Sequence, residues 1–168
     1  MRIGVISDTH GMLDRTRQAV ELFDREGIDT VLHCGDVGGL PILEQFVGKR
    51  FWFVWGNTDR IDLAAQDALQ IWGFPWPERS PLTIDLDGKR IILAHGHESS
   101  FRYVFRNPDA DFLFFGHSHS RLCVRIGHCM VVNPGAIQRT PLPTVAVVDL
   151  QSAEVSHLDL HGRRVESE

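Results

Sequence analysis

The chain is poor in cysteine, carries no block of like charge and has no long hydrophobic run, and each shortage excludes something. Only three cysteines occur in 168 residues. Cys34, Cys123 and Cys129 form no C-x-x-C pair and cannot all be bridged. Reduced thiols in a cytoplasmic protein are therefore expected, not a disulfide framework. The apolar start Ile3-Gly4-Val5-Ile6 is broken at once by Ser7-Asp8, too soon for a signal peptide or a membrane span. The formal charge of −5 is spread along the chain. Nucleic acid is not indicated as a partner, because binding the phosphate backbone normally needs several clustered Lys or Arg. No internal repeat, low-complexity stretch or linker divides the chain.

What is present is ordinary in amount. Hydrophobic residues make up 43% and charged residues 23%, as in a globular domain. The length suits one domain with one sizeable core, expected over residues 1–162 with a frayed tail at 163–168.

The first half alternates strand, loop and helix. Arg2 to Ser7 reads as a strand buried on both faces, and Thr30 to Cys34 and Phe51 to Val54 as the next two strands. Between them lie a helix capped by Asp14 and stopped near Gly27, and a short helix from Pro41 to Val47. This alternation predicts a parallel βαβ arrangement. A helix from about Ile61 to Trp72 ends at Gly73. Beyond it, Leu82 to Leu86 and Arg90 to Ala94 flank Asp87-Gly88, a hairpin signal. A helical stretch from Ser100 to Arg106 and a buried strand at Phe112 follow. Short strands then run over Leu122 to Ile126, Met130 to Val132, Thr144 to Asp149 and Val155 to Leu160, mostly antiparallel. The pattern suggests two sheets packed face to face with helices outside.

Five segments stand immediately after strands, where open α/β sheets place their ligand sites. They are Asp8-x-His10, Gly35-Asp36, Gly56-Asn57, His95-Gly96-His97 and Gly116-His117-Ser118-His119. Glycine adjoins the polar residue in four of them, as needed where backbone must come close to an ion or a phosphate. Imidazole, carboxylate and amide oxygen together form a mixed N/O set suited to borderline divalent ions such as Mn²⁺, Fe²⁺ or Zn²⁺.

In these same segments the sequence resembles the calcineurin-like metallophosphoesterases, specifically their small single-domain bacterial and archaeal phosphodiesterases. The family pattern D-x-H, G-D, G-N-x-D/E, H-G-H and G-H-x-H is found in order, and Asn133-Pro134-Gly135-Ala136 is similar to its N-P-G-S/A turn. The resemblance implies an α/β fold, a four-layer sandwich of two mixed β-sheets flanked by helices. It also implies two divalent ions, manganese first, with nickel, iron or zinc as alternatives. By position, Asp8, His10 and His119 would hold the first ion and Asn57, His95 and His117 the second, with Asp36 bridging. Cations about 3.5–4 Å apart lower the pKa of a bridging water and clamp phosphoryl oxygens, so a hydroxide can attack phosphorus in line.

One departure bears on substrate. Larger relatives carry histidine after the asparagine, where this chain has Thr58, a hydroxyl too weakly acidic to protonate a leaving alkoxide. Phosphodiesters or esters with acidic leaving groups are thus expected to be preferred over alkyl monoesters. His97 is the next candidate for proton donor, or else a loop hydrogen-bonder. Asp59 stands at the family's acidic position and is expected to orient a neighbour. Arg139, beyond the glycine turn, is a candidate phosphate contact alongside Asn57.

The remaining histidines read as structural. His33 is expected to be satisfied within its strand, and His128, His157 and His161 to be solvated. Trp52, Trp55, Trp72 and Trp76, with neighbouring phenylalanines, offer either a base-stacking platform or core packing. Residues 72–76 are the stretch expected to be exposed, pointing to a homo-oligomer. The expected activity is hydrolysis of a small phosphate ester by a two-metal phosphodiesterase. The alternatives are a nuclease, disfavoured by the charge, or a protein-binding scaffold on the same fold, as in the resembling eukaryotic retromer subunit. A scaffold is free to lose ligands, and this chain has lost none.

Overall fold

The computed structural model describes residues 1–60 and 65–167. The first six-stranded sheet contains β1 (Arg2–Ile6), β2 (Thr30–His33), β3 (Arg50–Phe53), β9 (Thr144–Asp149), β10 (Val155–Asp159) and β11 (Arg164–Val165) in the order β11-β10-β9-β1-β2-β3. The second sheet has five strands, β4 (Leu82–Leu86), β5 (Lys89–Leu93), β6 (Phe112–Phe114), β7 (Leu122–Ile126) and β8 (Cys129–Asn133), ordered β4-β5-β6-β8-β7. The helices are α1 (Leu13–Arg25), α2 (Leu40–Leu43), α3 (Ala65–Trp72) and α4 (Phe101–Arg106), and a 3-10 turn at Glu44–Phe46 extends α2.

Three apolar layers account for four layers of structure. Ala19, Leu22 and Phe23 of α1, Ile42 and Leu43 of α2 and Leu69 of α3 pack on Val31, Phe51 and Val147 of the first sheet. Ile3, Val5, Leu32 and Ala146 of the first sheet meet Ile91, Leu93, Phe112 and Phe114 of the second. Phe101, Val104 and Phe105 of α4 close the far face against Leu113, Phe115 and Val131. Truncating a core ring such as the fully buried Phe23 to alanine would cost about 3–5 kcal/mol.

Local chemistry explains the element ends. Gly27, at φ 69°, donates to the Asp24 carbonyl while Ile28 N–H donates to Phe23, so two carbonyls left open at the end of α1 are satisfied. Ile28 also packs in the same core as Phe23. Gly73 ends α3 in the same manner, with Phe74 N–H donating to Leu69. Asp87 and Gly88 both take positive φ, the turn whose twist matches a two-residue hairpin, and Leu86 pairs with Lys89 across it. Asp14 lies inside the first turn of α1 instead of capping it; Met12 is the cap residue and supplies no side-chain bond.

Several expectations are corrected. The halves of the chain do not map onto separate sheets. β9 crosses back to pair antiparallel with β1, and β5, β6 and β8 form a parallel core inside the second sheet. The tail does not fray at Arg164–Val165, which pair with Leu158 and His157. Asp159 nucleates that turn, accepting from the N–H groups of His161 and Arg163 and from the Arg163 guanidinium at 2.7 Å. The aromatic stretch 72–76 folds inward: Phe74 is buried, and Trp72 and Trp76 pack on the helical-side core. The part of the expected helix at 61–64 lies outside the described residues. Among the described residues, no helix is long and apolar enough to cross a membrane, and the three cysteines are free.

Candidate metal centre

Parallel strands point their C-terminal ends the same way, so β1, β2 and β3 deliver their turns to one edge of the first sheet, and β5 and β6 to one edge of the second. Hydrogen bonds then join the two edges. The His117 N–H donates to Asp8 Oδ2 at 3.1 Å, and His95 Nδ1 lies 2.7 Å from the Cys34 carbonyl. Asp8, His10, Asp36, His117 and His119 all sit at positive φ, between 44° and 64°. Such backbone is unfavourable for residues with a Cβ and persists where surrounding contacts dictate it, commonly at functional sites. Arg139 shares the conformation at 58°.

The first cluster gathers Asp8, His10 and His119, with ligand atoms within 4.8 Å of one another. Asp8 is fully buried and its Oδ2 is occupied by the Ser7 hydroxyl at 2.6 Å and by the His117 N–H. Its Oδ1 turns inward, 3.1 Å from His119 Nε2 and 3.8 Å from His10 Nε2. Neither Oδ1 of Asp8 nor Nε2 of His10 has an aligned hydrogen-bond partner, although each is buried. An unpartnered buried carboxylate oxygen is costly. A cation between these atoms removes that cost, and the donor set fits one. Burial lowers the pKa of His10 below its ordinary value, outweighing the nearby Asp36 carboxylate, which keeps the imidazole lone pair available.

Asp36 is the shared wall. Its Oδ2 lies 3.6 Å from His10 Nε2 and 3.5 Å from His95 Nε2, while its Oδ1 accepts the Thr58 N–H at 2.9 Å. Burial opposes its ionisation, but the bonds from His95 and Thr58 win, and the carboxyl is held well below the usual carboxylate range. On the far side, His95 Nε2 meets Asn57 Oδ1 at 3.1 Å. Because the Cys34 carbonyl can only accept, His95 holds a proton on Nδ1, and Nε2 faces Asp36 and Asn57; burial opposes its protonation, but the bonds to Asp36 and to the Cys34 carbonyl raise its pKa above the ordinary value. His117 stands next to this second cluster with its ring centroid 5.0 Å from that of His95. Its pKa is lowered, chiefly by burial and then by His95.

A family model for the calcineurin-like phosphoesterase superfamily domain matches residues 1–153. The chain belongs to that superfamily. It is 28% identical over 165 residues to a phosphodiesterase of Methanocaldococcus jannaschii, covering 95% of this chain and 99% of that one. It is 30% identical over 166 residues to a probable metallophosphoesterase of Methanothermobacter thermautotrophicus, covering 92% and 89%. A solved structure of an archaeal phosphodiesterase superposes with a TM-score of 0.82 at 27% identity, over 95% of this chain and 99% of the other.

In this calcineurin-like phosphoesterase the remaining residues singled out in the sequence take varied places. Asp59 braces two ligand turns: it accepts the N–H groups of Val37 at 3.1 Å, Gly38 at 2.9 Å and Gly56 at 2.8 Å. His97 is exposed, with its ring centroid 5.3 Å from that of His95. Arg139 is also exposed, and its charge is felt at His10. His33 is buried and satisfied on each ring nitrogen, by Thr9 Oγ1 at 2.9 Å and the Gly35 N–H at 3.1 Å. His128 and His161 are exposed as expected, but His157 is buried and sits 2.7 Å from the Asn133 carbonyl, not in solvent.

Two supporting residues escaped the sequence reading. Glu98 accepts from the His95 N–H at 2.8 Å, the Gly96 N–H at 2.7 Å and the Ser80 hydroxyl, and so shapes the H-G-H turn. Asn133 does more than begin its turn: its amide donates to the Gly116 carbonyl at 2.8 Å and Ser118 Oγ at 3.1 Å, clamping the G-H-x-H loop. An acid three residues after His95 was the one available signal, and it resembles any surface glutamate.

Proposed function

We propose that this chain is a phosphodiesterase that works with two divalent cations, manganese first among them. The observation that carries the reading is the pair of buried, unpartnered ligand atoms, Asp8 Oδ1 and His10 Nε2, facing each other beside His119. Asp8, His10 and His119 would hold one cation, and Asn57, His95 and His117 the other, with Asp36 between. The chemistry such cations supply is Lewis-acidic, acidifying a water and drawing off charge that builds on phosphoryl oxygens.

The chain's own residues do the rest. Asp36, kept ionised, offsets the repulsion between two close positive charges. Asn57 orients the phosphoryl group through its amide, and Arg139 supplies a cation at the open side of the site, where the anionic substrate enters. His97, next to His95 and open to solvent, is the proton donor to the departing oxygen. Thr58 cannot fill that role, which favours diesters and acidic leaving groups over alkyl monoesters. A cytoplasmic setting and a small phosphate-ester substrate belong to the same reading, which the unbridged cysteines support.

The test is hydrolysis of an aryl phosphodiester by metal-stripped protein, with Mn²⁺, Ni²⁺, Zn²⁺ and Mg²⁺ added back in turn. Activity should return with at least one cation, Mn²⁺ foremost, and should not return in Asp36→Ala or His117→Ala. Absence of turnover with every cation would favour the scaffold instead.

A further inference from the structure

A cleft of about 440 Å³ opens beside the ligand turns, and nothing in the metal-centred chemistry uses it. Gly38, Leu40, Leu43, Trp55 and Thr58 are among the residues that line it. Thr58 is common to the cleft and the metal centre: its N–H binds Asp36 Oδ1, and its hydroxyl lies 3.4 Å from His10 Nδ1. A group bound at the ligand turns is therefore contiguous with the cleft.

We propose that this cleft is the subsite for a flat aromatic or heteroaromatic ester group of the substrate; this rests on the phosphodiesterase reading and deepens it. The volume lies in the range of sites that enclose a whole small molecule, well beyond the needs of a phosphoryl group. Leu40 and Trp55, each half-buried, give it an apolar wall. Trp55 is fixed edge-on against Phe53, with centroids 4.8 Å apart, and against Trp76 at 5.7 Å, so its ring is ordered before a ligand arrives. Asp59 also lines the cleft, where three backbone N–H groups donate to its carboxylate and their dipoles offset part of its charge. Arg60 adds a guanidinium, a group that stacks on flat rings. The aromatic run around Trp55 thus contributes one ring to substrate recognition while its neighbours pack the core.

The experiment measures binding of methyl phosphate, phenyl phosphate and thymidine 5′-monophosphate to Mn²⁺-loaded protein by isothermal titration. At least one ring-bearing ester should bind ten or more times more tightly than methyl phosphate; phenyl alone would assign the cleft to aryl esters, thymidine alone to nucleoside esters. Leu40→Trp, which fills the cleft, should bring that ratio within threefold, and Leu40→Ser, which strips its apolar wall, should lower it several-fold. Mn²⁺ titration of each variant checks that its metal centre is intact. Equal affinities in the unaltered protein, or a ratio untouched by both substitutions, would overturn the proposal. A parallel assay uses p-nitrophenyl diesters bearing the same three groups. If none is hydrolysed while the binding ratio holds, the catalytic reading fails and the subsite stands.

Discussion

Glu98 reaches back along its own loop to accept the backbone N–H of His95, 2.8 Å away, so a residue outside the candidate ligand set fixes the turn that carries His95. Its second oxygen takes the Gly96 N–H at 2.7 Å. In Glu98→Ala two turn N–H groups lose their acceptor and His95 loses its anchor. Cation affinity measured by titration calorimetry should fall about tenfold to a hundredfold, as when other supporting partners of metal ligands are removed. Glu98→Gln, which retains one acceptor oxygen, should fall in between. Affinity unchanged within twofold in Glu98→Ala would contradict the bracing role.

Metal should also be visible as stability. A cation that binds only the folded protein adds about 2.7 kcal/mol at a hundred times its dissociation constant. Thermal melts of the metal-free protein should shift upward on adding Mn²⁺, and Asp8→Asn should abolish most of the shift. Without metal, Asp8→Asn should be no less stable than the unaltered protein, because it removes a buried charge whose Oδ1 has no partner. A clear loss of metal-free stability in Asp8→Asn would show that Asp8 serves the fold more than the ion.

The glycine before Asn57 is needed for space, not for an unusual φ. A Cβ on Gly56 would run into the Asp36 carboxylate and its backbone N–H. Gly56→Ala should cost about 1–3 kcal/mol in denaturant unfolding, the usual penalty of overpacking. It should also displace the shared carboxylate and weaken cation binding. Normal unfolding together with normal binding would rule this account out.

Acid should weaken the fold through His33. Burial pushes its pKa down to about 3, and each ring nitrogen is already committed in the neutral form, with Nδ1 accepting the Gly35 N–H. Below the ordinary value near 6.5 the unfolded chain therefore binds a proton that the folded protein refuses, so stability drops as pH falls through the window from 6.5 to 3. The loss from this group between pH 7 and pH 5 should be about 2 kcal/mol. His157, lowered by burial, adds to it with the same sign. His33→Gln should flatten the pH dependence of chemical denaturation, and an unchanged slope would argue against a neutral buried His33.

The local parts of this phosphoesterase follow from short stretches of its sequence. Strand ends, the Asp87-Gly88 hairpin, the helix stops at Gly27 and Gly73 and the polar turns after the strands were legible because turn chemistry and apolar periodicity act over a few neighbouring residues. The tertiary structure alone decided what depends on distant partners. It sent β9 across to β1, buried His157 against the Asn133 carbonyl, paired Arg164–Val165 with β10 and turned residues 72–76 inward. It also made Asp59 and Glu98 into braces, since whether a carboxylate binds solvent or three N–H groups depends on which turns are folded against it. Pairing across long sequence separations follows from which faces exclude water together, and that information belongs to the assembled layers, not to any one stretch of chain.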